Sequence, residues 1–335
     1  VVSADDPLQE TAEIYNAAFS GISHLAESRL GTSASPIYET DGNMLVRTEE
    51  RYASKKALLG LSSGFPELDM LLQGIQAGDL LIVAARPSVG KSAFLTSVAA
   101  DVVFRQGVSA LFFTLEMSEE SISQRLAAMA SKIPLSKLRS GSLSSEEMTR
   151  LVATIDSHEG KPFHLSTART MAEILSESRT MKMRDPNLGL IVVDYLGYLE
   201  GARNKDNRAL QVAEYSMFLK RLAATTGAAV LAACQLNRQV ESRTSRMPQL
   251  HDLRDSGSIE QDADVVMFLS RGGENDKDPM PSGSPGEPQT ITVSVAKHRN
   301  GACGSVELDF FPHYTKFSSR SAAQEWSAGN GDLRR

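Results

Sequence analysis

The sequence contains few cysteines and no long apolar run. Its 335 residues include two cysteines, Cys234 and Cys303, whose spacing fits neither a metal site nor a disulfide framework. Since no stretch of about 18 apolar residues occurs, no transmembrane helix is predicted. These absences favour a folded protein of the reducing cytoplasm. No signal peptide is predicted at the first residue, Val1, and the missing initial methionine is compatible with a fragment of a longer protein.

Basic residues are not in excess either. The 35 Lys and Arg against 41 Asp and Glu give a net charge of −6. This balance excludes a protein that coats nucleic acid with its whole surface, although it leaves local basic loops possible. Hydrophobic residues make up 41% and charged residues 23%, close to the average of globular proteins. Wholesale disorder and fibrous structure are therefore excluded.

The composition divides the chain into four segments. In residues 1–30 the apolar residues between Leu8 and Leu25 follow helical spacing, which predicts an amphipathic helix that packs on a neighbouring subunit. Residues 31–60 are polar without sustained periodicity and predict a flexible linker. Residues 61–318 form the predicted catalytic domain, and residues 319–335 a flexible tail.

Within the catalytic domain, short β-branched runs alternate with helical stretches. This rhythm is typical of a parallel α/β sheet. Strands are predicted at residues 80–85, 110–116, 163–166, 188–196, 228–235, 263–271 and 290–299, with 306–311 as a hairpin partner of the last. Residues 272–289 carry Gly, Pro, Ser and charges and predict a surface loop. The fold class is therefore α/β, with a mostly parallel central sheet flanked by helices.

A phosphate-binding loop is predicted where a strand meets a helix, in LLIVAARPSVGKSAFLTSVA. Backbone N–H groups of such a turn bind phosphate oxygens, Lys91 reaches the β and γ phosphates, and the Ser92 hydroxyl binds magnesium. Gly90 allows close backbone approach. Ala85 stands where the generic pattern has its first glycine, but the strand–GKS–helix context is the more specific signal. The predicted nucleotide contacts are Ala85, Arg86, Pro87, Ser88, Val89, Gly90, Lys91, Ser92 and Ala93.

Three polar residues at predicted strand ends complete a hydrolytic site. Because the carboxyl ends of parallel strands face one crevice, Asp194 can bind the magnesium shell through water. Glu116 can polarise the attacking water as a general base. Gln235 follows a buried run and can sense the γ phosphate. Asp194 has a simpler interpretation as a solvated residue at a strand end, and Glu116 as an N-cap-like surface residue before the helix that begins at Ser118.

Several of these segments together resemble the ATPase domain of DnaB-type replicative helicases, members of the RecA-like ring motors. The resemblance covers about residues 61–317 and rests on GLSSGFPELDMLLQGIQAGDLLIVAARPSVGKS, LFFTLEMS, LIVVDYLGYL, CQLNRQVESR, DLRDSGSIEQDADVVMFLSR and AKHRNG. It implies a RecA-like fold, ATP with Mg2+ as cofactors and a ring of identical subunits, a homo-hexamer. Alanine at the first loop position is usual in this family. Primase and a helicase loader are possible partners that this chain does not let us infer, and a membrane is not among the partners.

The resemblance also implies two functions that the residues alone leave open. Lys297 and Arg299 of AKHRNG would enter the nucleotide site of the neighbouring subunit, with Arg299 as the arginine finger. Arg254, Asp255 and Gly257 of the loop DLRDSG would contact the backbone of single-stranded DNA in a central channel. Phosphate contacts of this kind tolerate sequence changes and weaken with salt.

The sequence departs from the family at two positions. Gly197 stands where relatives commonly have Gln, and Asp255 where they have Glu. The shorter side chain of Asp255 is expected to weaken or reshape a channel contact. The predicted function is a replicative helicase that hydrolyses ATP at subunit interfaces, translocates on single-stranded DNA and unwinds duplex DNA. The alternatives are a RecA-like recombination ATPase that forms filaments, an ATP-dependent structural switch without turnover, and a nucleotide kinase, which would need an arginine-rich lid.

Overall fold

The computed structural model describes residues 37–54, 58–200, 208–236, 249, 250, 252, 257–271 and 287–320. The chain divides into two compact units, Val1–Ala57 and Leu58–Arg335. The predicted helix of residues 1–30 and the tail from residue 321 onward lie outside the described residues. Among the described helices, none combines the length and the apolar character needed to cross a bilayer.

The described part of the first unit is one helix, α1 (Ile37–Ser54). The prediction of irregular structure over residues 31–60 is wrong for this stretch. Gly42 and the scattered charges hide the helical pattern, although seven of the 18 residues are Met, Leu, Glu or Arg, which favour helices. Three consecutive apolar residues of α1, Met44, Leu45 and Val46, are exposed.

The described residues of the second unit form a nine-stranded sheet in the order β3-β2-β4-β5-β1-β6-β7-β8-β9. The strands are β1 (Leu80–Ala85), β2 (Ser109–Thr114), β3 (Phe163–Ser166), β4 (Leu188–Asp194), β5 (Ala229–Gln235), β6 (Val265–Arg271), β7 (Gln289–His298), β8 (Gly304–Phe311) and β9 (Lys316–Ser319). The first six in this order are parallel, and the last three are antiparallel to their neighbours. The predicted mostly parallel sheet and the final hairpin are confirmed.

Helices cover both faces of this sheet. They are α2 (Pro66–Leu72), α3 (Lys91–Ala100), α4 (Glu119–Ser131), α5 (Leu135–Ser140), α6 (Ser145–His158), α7 (Met171–Arg184), α8 (Arg208–Thr226) and α9 (Gly257–Asp262). Alternate residues of β1 point to opposite faces, as the pleat requires. Leu81 and Val83 belong to a hydrophobic cluster with residues of α2, α3 and α4. Leu80 and Ile82 belong to a second cluster with residues of α7, α8 and α9.

Local sequence signals set several helix starts. Both α6 and α7 begin with a capping box, in which Ser144 pairs with Glu147 and Thr170 with Glu173. Ser118 caps α4 by accepting a hydrogen bond from the Ser121 N–H group. These caps fix the first residue of each of the three helices.

Some predicted boundaries are wrong by a few residues. The predicted strand 110–116 ends at Thr114, and the predicted strand 188–196 ends at Asp194. The predicted domain end at residue 318 falls inside β9, a short strand that the sequence analysis missed. Both early strand ends have the same cause, because an apolar residue in the turn, Leu115 or Leu196, extends the apolar run past the last paired residue.

Candidate functional site

A cavity of about 390 Å3 opens at the carboxyl ends of the parallel strands. Such an edge is where open α/β sheets bind their ligands, and the volume lies in the range of small-molecule sites. The lining residues are Arg86, Pro87, Ser88, Gly90, Lys91, Ser92, Ala93, Glu116, Arg125, Asp194, Tyr195, Gln235, Phe310, Pro312 and Thr315. The structure therefore gathers residues from distant sequence segments at one place.

The backbone of the predicted phosphate loop turns sharply between β1 and α3. Ser88 and Gly90 both have positive φ, 64° and 108°, so the intervening N–H groups can face an anion. A Cβ at residue 90 would lie 3.2 Å from the Phe317 ring, and L side chains rarely adopt φ of 108°, so both observations favour glycine there. Ala85 is in the strand and has no positive φ, so its position does not need glycine.

Two predicted loop residues contribute no side chain to the cavity. Ala85 and Val89 are buried in the hydrophobic cluster on the α3 face of the sheet. Any contact that they make with a phosphate is therefore made by their backbone. From the neighbouring strand β6, the Arg271 guanidinium donates to the Ser88 carbonyl at 3.0 Å and supports the loop from outside.

Lys91 begins α3 and points into the cavity. Its Nζ donates to the Ala85 carbonyl at 3.3 Å and lies 5.5 Å from the centre of the Tyr195 ring. Burial lowers the pKa of Lys91, while the nearby Cys234, Asp194 and Glu116 oppose this change. A polyanionic ligand at the loop would raise the pKa of Lys91, because negative charges beside the ammonium favour its charged form.

Asp194 and Ser92 provide a set of hard oxygen ligands. Asp194 is buried at the end of β4, and its carboxyl group accepts a hydrogen bond from the Ser92 side chain. Burial raises the pKa of Asp194, whereas the Ser92 hydrogen bond and the Lys91 charge lower it. A hydroxyl and a carboxylate beside a phosphate loop are the ligands that Mg2+ uses together with nucleotide phosphates. These residues therefore fit the predicted metal.

Glu116 and Gln235 lie on the solvent side of the same cavity. Glu116 follows the strand rather than ending it, in the turn between β2 and α4, and its side chain is exposed. Gln235 is the last residue of β5 and is exposed where the rest of that strand is buried. Both can meet a ligand and water, which a general base and a γ-phosphate sensor require.

Arg125 is a cavity residue that the sequence analysis did not find. It lies on α4, where burial lowers the pKa of its guanidinium and the charges of Asp194 and Glu116 oppose that effect. Its Nε is buried and has no hydrogen-bond partner among the described residues. An arginine inside a helix carries no strand-end signal, so no local pattern singles it out.

The family departure at residue 197 has a steric reason in this structure. A Cβ at Gly197 would lie 2.2 Å from the Tyr195 ring, so a side chain there would displace the ring. Since that ring lies beside the Lys91 ammonium, Gly197 leaves room for the observed position of Tyr195.

Lys297 and Arg299 lie at the opposite edge of the sheet from this cavity. Strand β7 runs antiparallel to β6, so its end meets the beginning of β6. Lys297 Nζ donates to the carbonyls of Glu260 and Ala263, at the end of α9. Partial burial, and then the Arg299 charge, lower the pKa of Lys297. The structure therefore does not bring these two cations to the phosphate loop of their own chain.

Arg299 is held by a buried carboxylate. Its NH1 donates to Asp264 Oδ1 at 3.2 Å and its NH2 to the Gln261 carbonyl at 2.8 Å. Asp264 in turn contacts the first residue of β1, because its Oδ2 accepts from the Leu80 N–H group at 2.8 Å. Arg299 is therefore anchored at the amino end of the strand whose carboxyl end carries the phosphate loop.

Of the predicted DNA contacts, the structure describes only the backbone of Gly257. It is the first residue of α9. Arg254 and Asp255 lie outside the described residues.

Comparisons with known proteins point to one family. Residues 60–319 match the family described as DnaB-like helicase C terminal domain. The chain is 36% identical over 315 residues to the replicative DNA helicase DnaC of Bacillus subtilis (strain 168), covering 92% of this chain and 67% of that protein. It is 38% identical over 263 residues to the replicative DNA helicase DnaB of Geobacillus stearothermophilus, covering 78% and 56%. The chain thus spans between about half and two thirds of these relatives.

Solved structures give the same result. One, described as an ATPase domain, has a TM-score of 0.76 at 31% identity and covers 86% of this chain and 99% of that chain. A second, described as a DnaB-like replicative helicase and its interactions with primase, has a TM-score of 0.74 at 30% identity and covers 93% of this chain and 74% of that chain. The RecA-like fold predicted from the sequence is therefore confirmed.

Proposed function

Because this chain belongs to the DnaB-like helicase C-terminal domain family, we propose that it is the motor of a replicative DNA helicase. Copies of the chain assemble into a ring, a homo-hexamer, and hydrolyse ATP between neighbouring subunits. Hydrolysis drives translocation along single-stranded DNA and unwinds the duplex. The proposed compartment is the cytoplasm. The family and both curated relatives are helicases, which favours this function over a filament-forming recombination ATPase.

The observation that carries the proposal is the separation of two groups of residues within one chain. Lys91, Ser92, Glu116 and Asp194 line one cavity, whereas Arg299 is anchored at the other edge of the sheet. A ring with repeated head-to-tail contacts can join one edge of a subunit to the opposite edge of the next. A site completed in this way hydrolyses ATP only after assembly.

The residues of the cavity then have distinct functions. The backbone around Gly90 and the Lys91 ammonium bind the triphosphate, and Arg125 adds a second positive charge. Ser92 and Asp194 would hold Mg2+, which neutralises phosphate charge when bound. Glu116 accepts a proton from the water that attacks the γ phosphorus, while the bond to the bridging oxygen breaks and ADP leaves.

The neighbouring subunit and Gln235 complete the reaction. Arg299 of the adjacent copy donates hydrogen bonds to the γ-phosphate oxygens as negative charge spreads over them, the role of an arginine finger. Lys297 would support it from the same strand end. Gln235 contacts the γ phosphate, so its position depends on whether that phosphate is present. Gln235 lies just before the segment from residue 237 to Gly257, which contains the predicted DNA loop, so it can transmit this state to the DNA contacts.

DNA binding is proposed for the segment from residue 237 to Gly257. Arg254 would contact the backbone phosphates by charge and Gly257 through its N–H group, with Asp255 between them. Such contacts do not read base sequence. Primase is proposed as a protein partner to test, since one solved relative is described together with it.

Unwinding of a labelled forked duplex tests the proposal. We expect ATP-dependent strand release by the assembled protein and none by Lys91→Ala, because the variant loses the cation at the phosphates. Lys182→Ala is the matched control, since Lys182 caps backbone carbonyls of Pro186 and Leu188 far from the cavity. Equal unwinding by Lys91→Ala, or no unwinding by an assembled protein that hydrolyses ATP, would contradict a helicase motor.

A further inference from the structure

The orientation of Arg299 is fixed by three hydrogen bonds. Its backbone N–H group donates to the Asp264 carbonyl at 2.8 Å, and its NH1 to Asp264 Oδ1 at 3.2 Å. Its NH2 donates to the Gln261 carbonyl at 2.8 Å. Backbone and side chain are therefore both tied to Asp264, between α9 and β6, and the side chain also to Gln261 near the end of α9. A long side chain that is otherwise half-exposed loses most of its rotational freedom in this way.

Asp264 is itself buried and held by several hydrogen bonds. Its side chain is 4% exposed, and its Oδ2 accepts from the Leu80 N–H group at 2.8 Å and from Lys220 Nζ at 2.5 Å. Its backbone N–H group donates to the Leu80 carbonyl at 2.9 Å. The carboxylate is thus attached to the central strand β1 and to α8. A surface ion pair between two mobile side chains would have no such support.

The two side-chain bonds leave part of the guanidinium available. NH1 and NH2 each have a second hydrogen, and Nε has one, so donors remain after the bonds to Asp264 and Gln261. The Arg299 side chain is 47% exposed. An anion can therefore approach its outer edge while the inner edge stays bound to Asp264.

We propose that Asp264 is a positioning residue for Arg299 and sets the direction in which the guanidinium faces the nucleotide of the adjacent subunit. The proposal depends on the proposed function, because it assumes that Arg299 acts on ATP bound by another copy. Its basis is preorganisation: a donor held in place before reaction stabilises developing charge without reorienting, and a displacement of about 1 Å can cost about a hundred-fold in rate.

A double-mutant cycle separates positioning from general support of the fold. We expect Asp264→Asn to lower DNA-stimulated kcat about ten- to hundred-fold while the affinity for a fluorescent ATP analogue stays within about two-fold. In an Arg299→Ala background the same substitution should cause little further loss, since the group that it positions is gone. Asp262→Asn is the matched control, because Asp262 is bound to Ser216 and not to Arg299.

Mixed assemblies give a second test that a folding defect cannot imitate. Lys91→Ala subunits have a defective site but an intact Arg299, so they can complete the site of a neighbour. Mixing them with Asp264→Asn subunits should give more turnover than the sum of the two separate proteins. A mixture of Lys91→Ala and Arg299→Ala subunits should also give more turnover than the sum of the two separate proteins. Its gain is the reference for the mixture that contains Asp264→Asn.

The possible results distinguish a failure of the positioning role of Asp264 from a failure of the proposed action of Arg299 between subunits. If Lys91→Ala rescues Arg299→Ala but not Asp264→Asn, the positioning role is wrong while the interfacial site stands. If neither is rescued although mixed rings form, Arg299 does not act between subunits and the proposed function fails.

If Asp264→Asn does not fold, Asp264→Glu is used in its place. This variant keeps the negative charge beside Lys220 and moves the carboxylate by one methylene. Turnover by folded Asp264→Glu at the wild-type rate, or fully additive losses in the cycle, would overturn the proposal.

Discussion

Arg299 and Lys91 lie at opposite ends of strand β1. The Arg299 guanidinium is bound to Asp264, which contacts Leu80 at the start of the strand, and the Lys91 ammonium is bound to the Ala85 carbonyl at its end. A strand of this length spans about 17 Å. Within one chain, Arg299 therefore cannot reach a phosphate bound by Lys91. A reaction that uses both residues has to combine two copies of the chain.

Replacing Glu116 tests the general base. We expect Glu116→Gln to bind ATP and Mg2+ with nearly unchanged affinity and to lose turnover about a hundred- to ten-thousand-fold, because glutamine cannot accept the proton of the attacking water. Equilibrium binding and single-turnover hydrolysis measure the two effects separately. Glu119→Gln, an exposed change at the start of α4, is the control. Near-normal hydrolysis by Glu116→Gln would assign the base to another residue.

Replacing Arg125 tests the cation that sequence reasoning missed. Removal of this partly buried guanidinium, which interacts with the charges of Asp194 and Glu116, leaves those negative charges less compensated beside the triphosphate. We expect Arg125→Ala to raise the KM for ATP and to lower kcat, each by about ten-fold or more. Gln124→Ala, on the same helix and bonded to the exposed Glu120, should leave both unchanged. An unchanged KM and kcat in Arg125→Ala would make Arg125 a purely structural residue.

The phosphate loop itself can be tested through glycine. In Gly90→Ala the new Cβ meets the Phe317 ring at 3.2 Å and the backbone has φ of 108°, so the loop has to shift. We expect nucleotide affinity to fall at least about ten-fold. Gly160→Ala is the matched control: its φ is 70°, but nothing lies within 4 Å of the added Cβ. It should lower the melting temperature through backbone strain and leave nucleotide affinity intact. Equal affinity in both variants would remove the loop from the site.

Asp79, just before β1, provides a stability test with a defined pH dependence. Burial, and then the Asp264 charge, raise the pKa of Asp79 above its usual 3.8. The folded state therefore disfavours the ionised form, so Asp79 reduces stability at pH values above its raised pKa. Asp79→Asn should increase the melting temperature at pH 7, and the gain should shrink as pH falls through the folded-state pKa toward 3.8, where Asp79 becomes protonated in both states. A gain that is constant with pH would mean that charge is not its cause.

Much of the site was predictable because its signals are local. Asp194 and Gln235 each end an apolar run, and buried parallel strands appear in the sequence as such runs. The GKS sequence between a strand and a helix is also a local signal, and it indicates the phosphate loop. Strand β9 escaped prediction because KFSS is short and only Phe317 in it is apolar, although three of its four residues are buried.

The remaining features depend on contacts between distant segments. The pairing of Asp264 with Arg299 follows from the register in which β7 returns along β6, which no local pattern specifies. Arg125 reaches the cavity only because α4 packs with its inner face toward Asp194. Neither relationship can be predicted from the spacing of residues in the sequence, and both became visible only in the folded structure.

The most direct test of the central claim is steady-state ATP hydrolysis with and without single-stranded DNA over a range of protein concentrations. If the site is completed between subunits and the motor acts on DNA, turnover per chain rises steeply with concentration and single-stranded DNA stimulates it. Full hydrolysis by the dilute monomer without a response to DNA would contradict both parts, since Arg299 could not then act from a neighbouring copy.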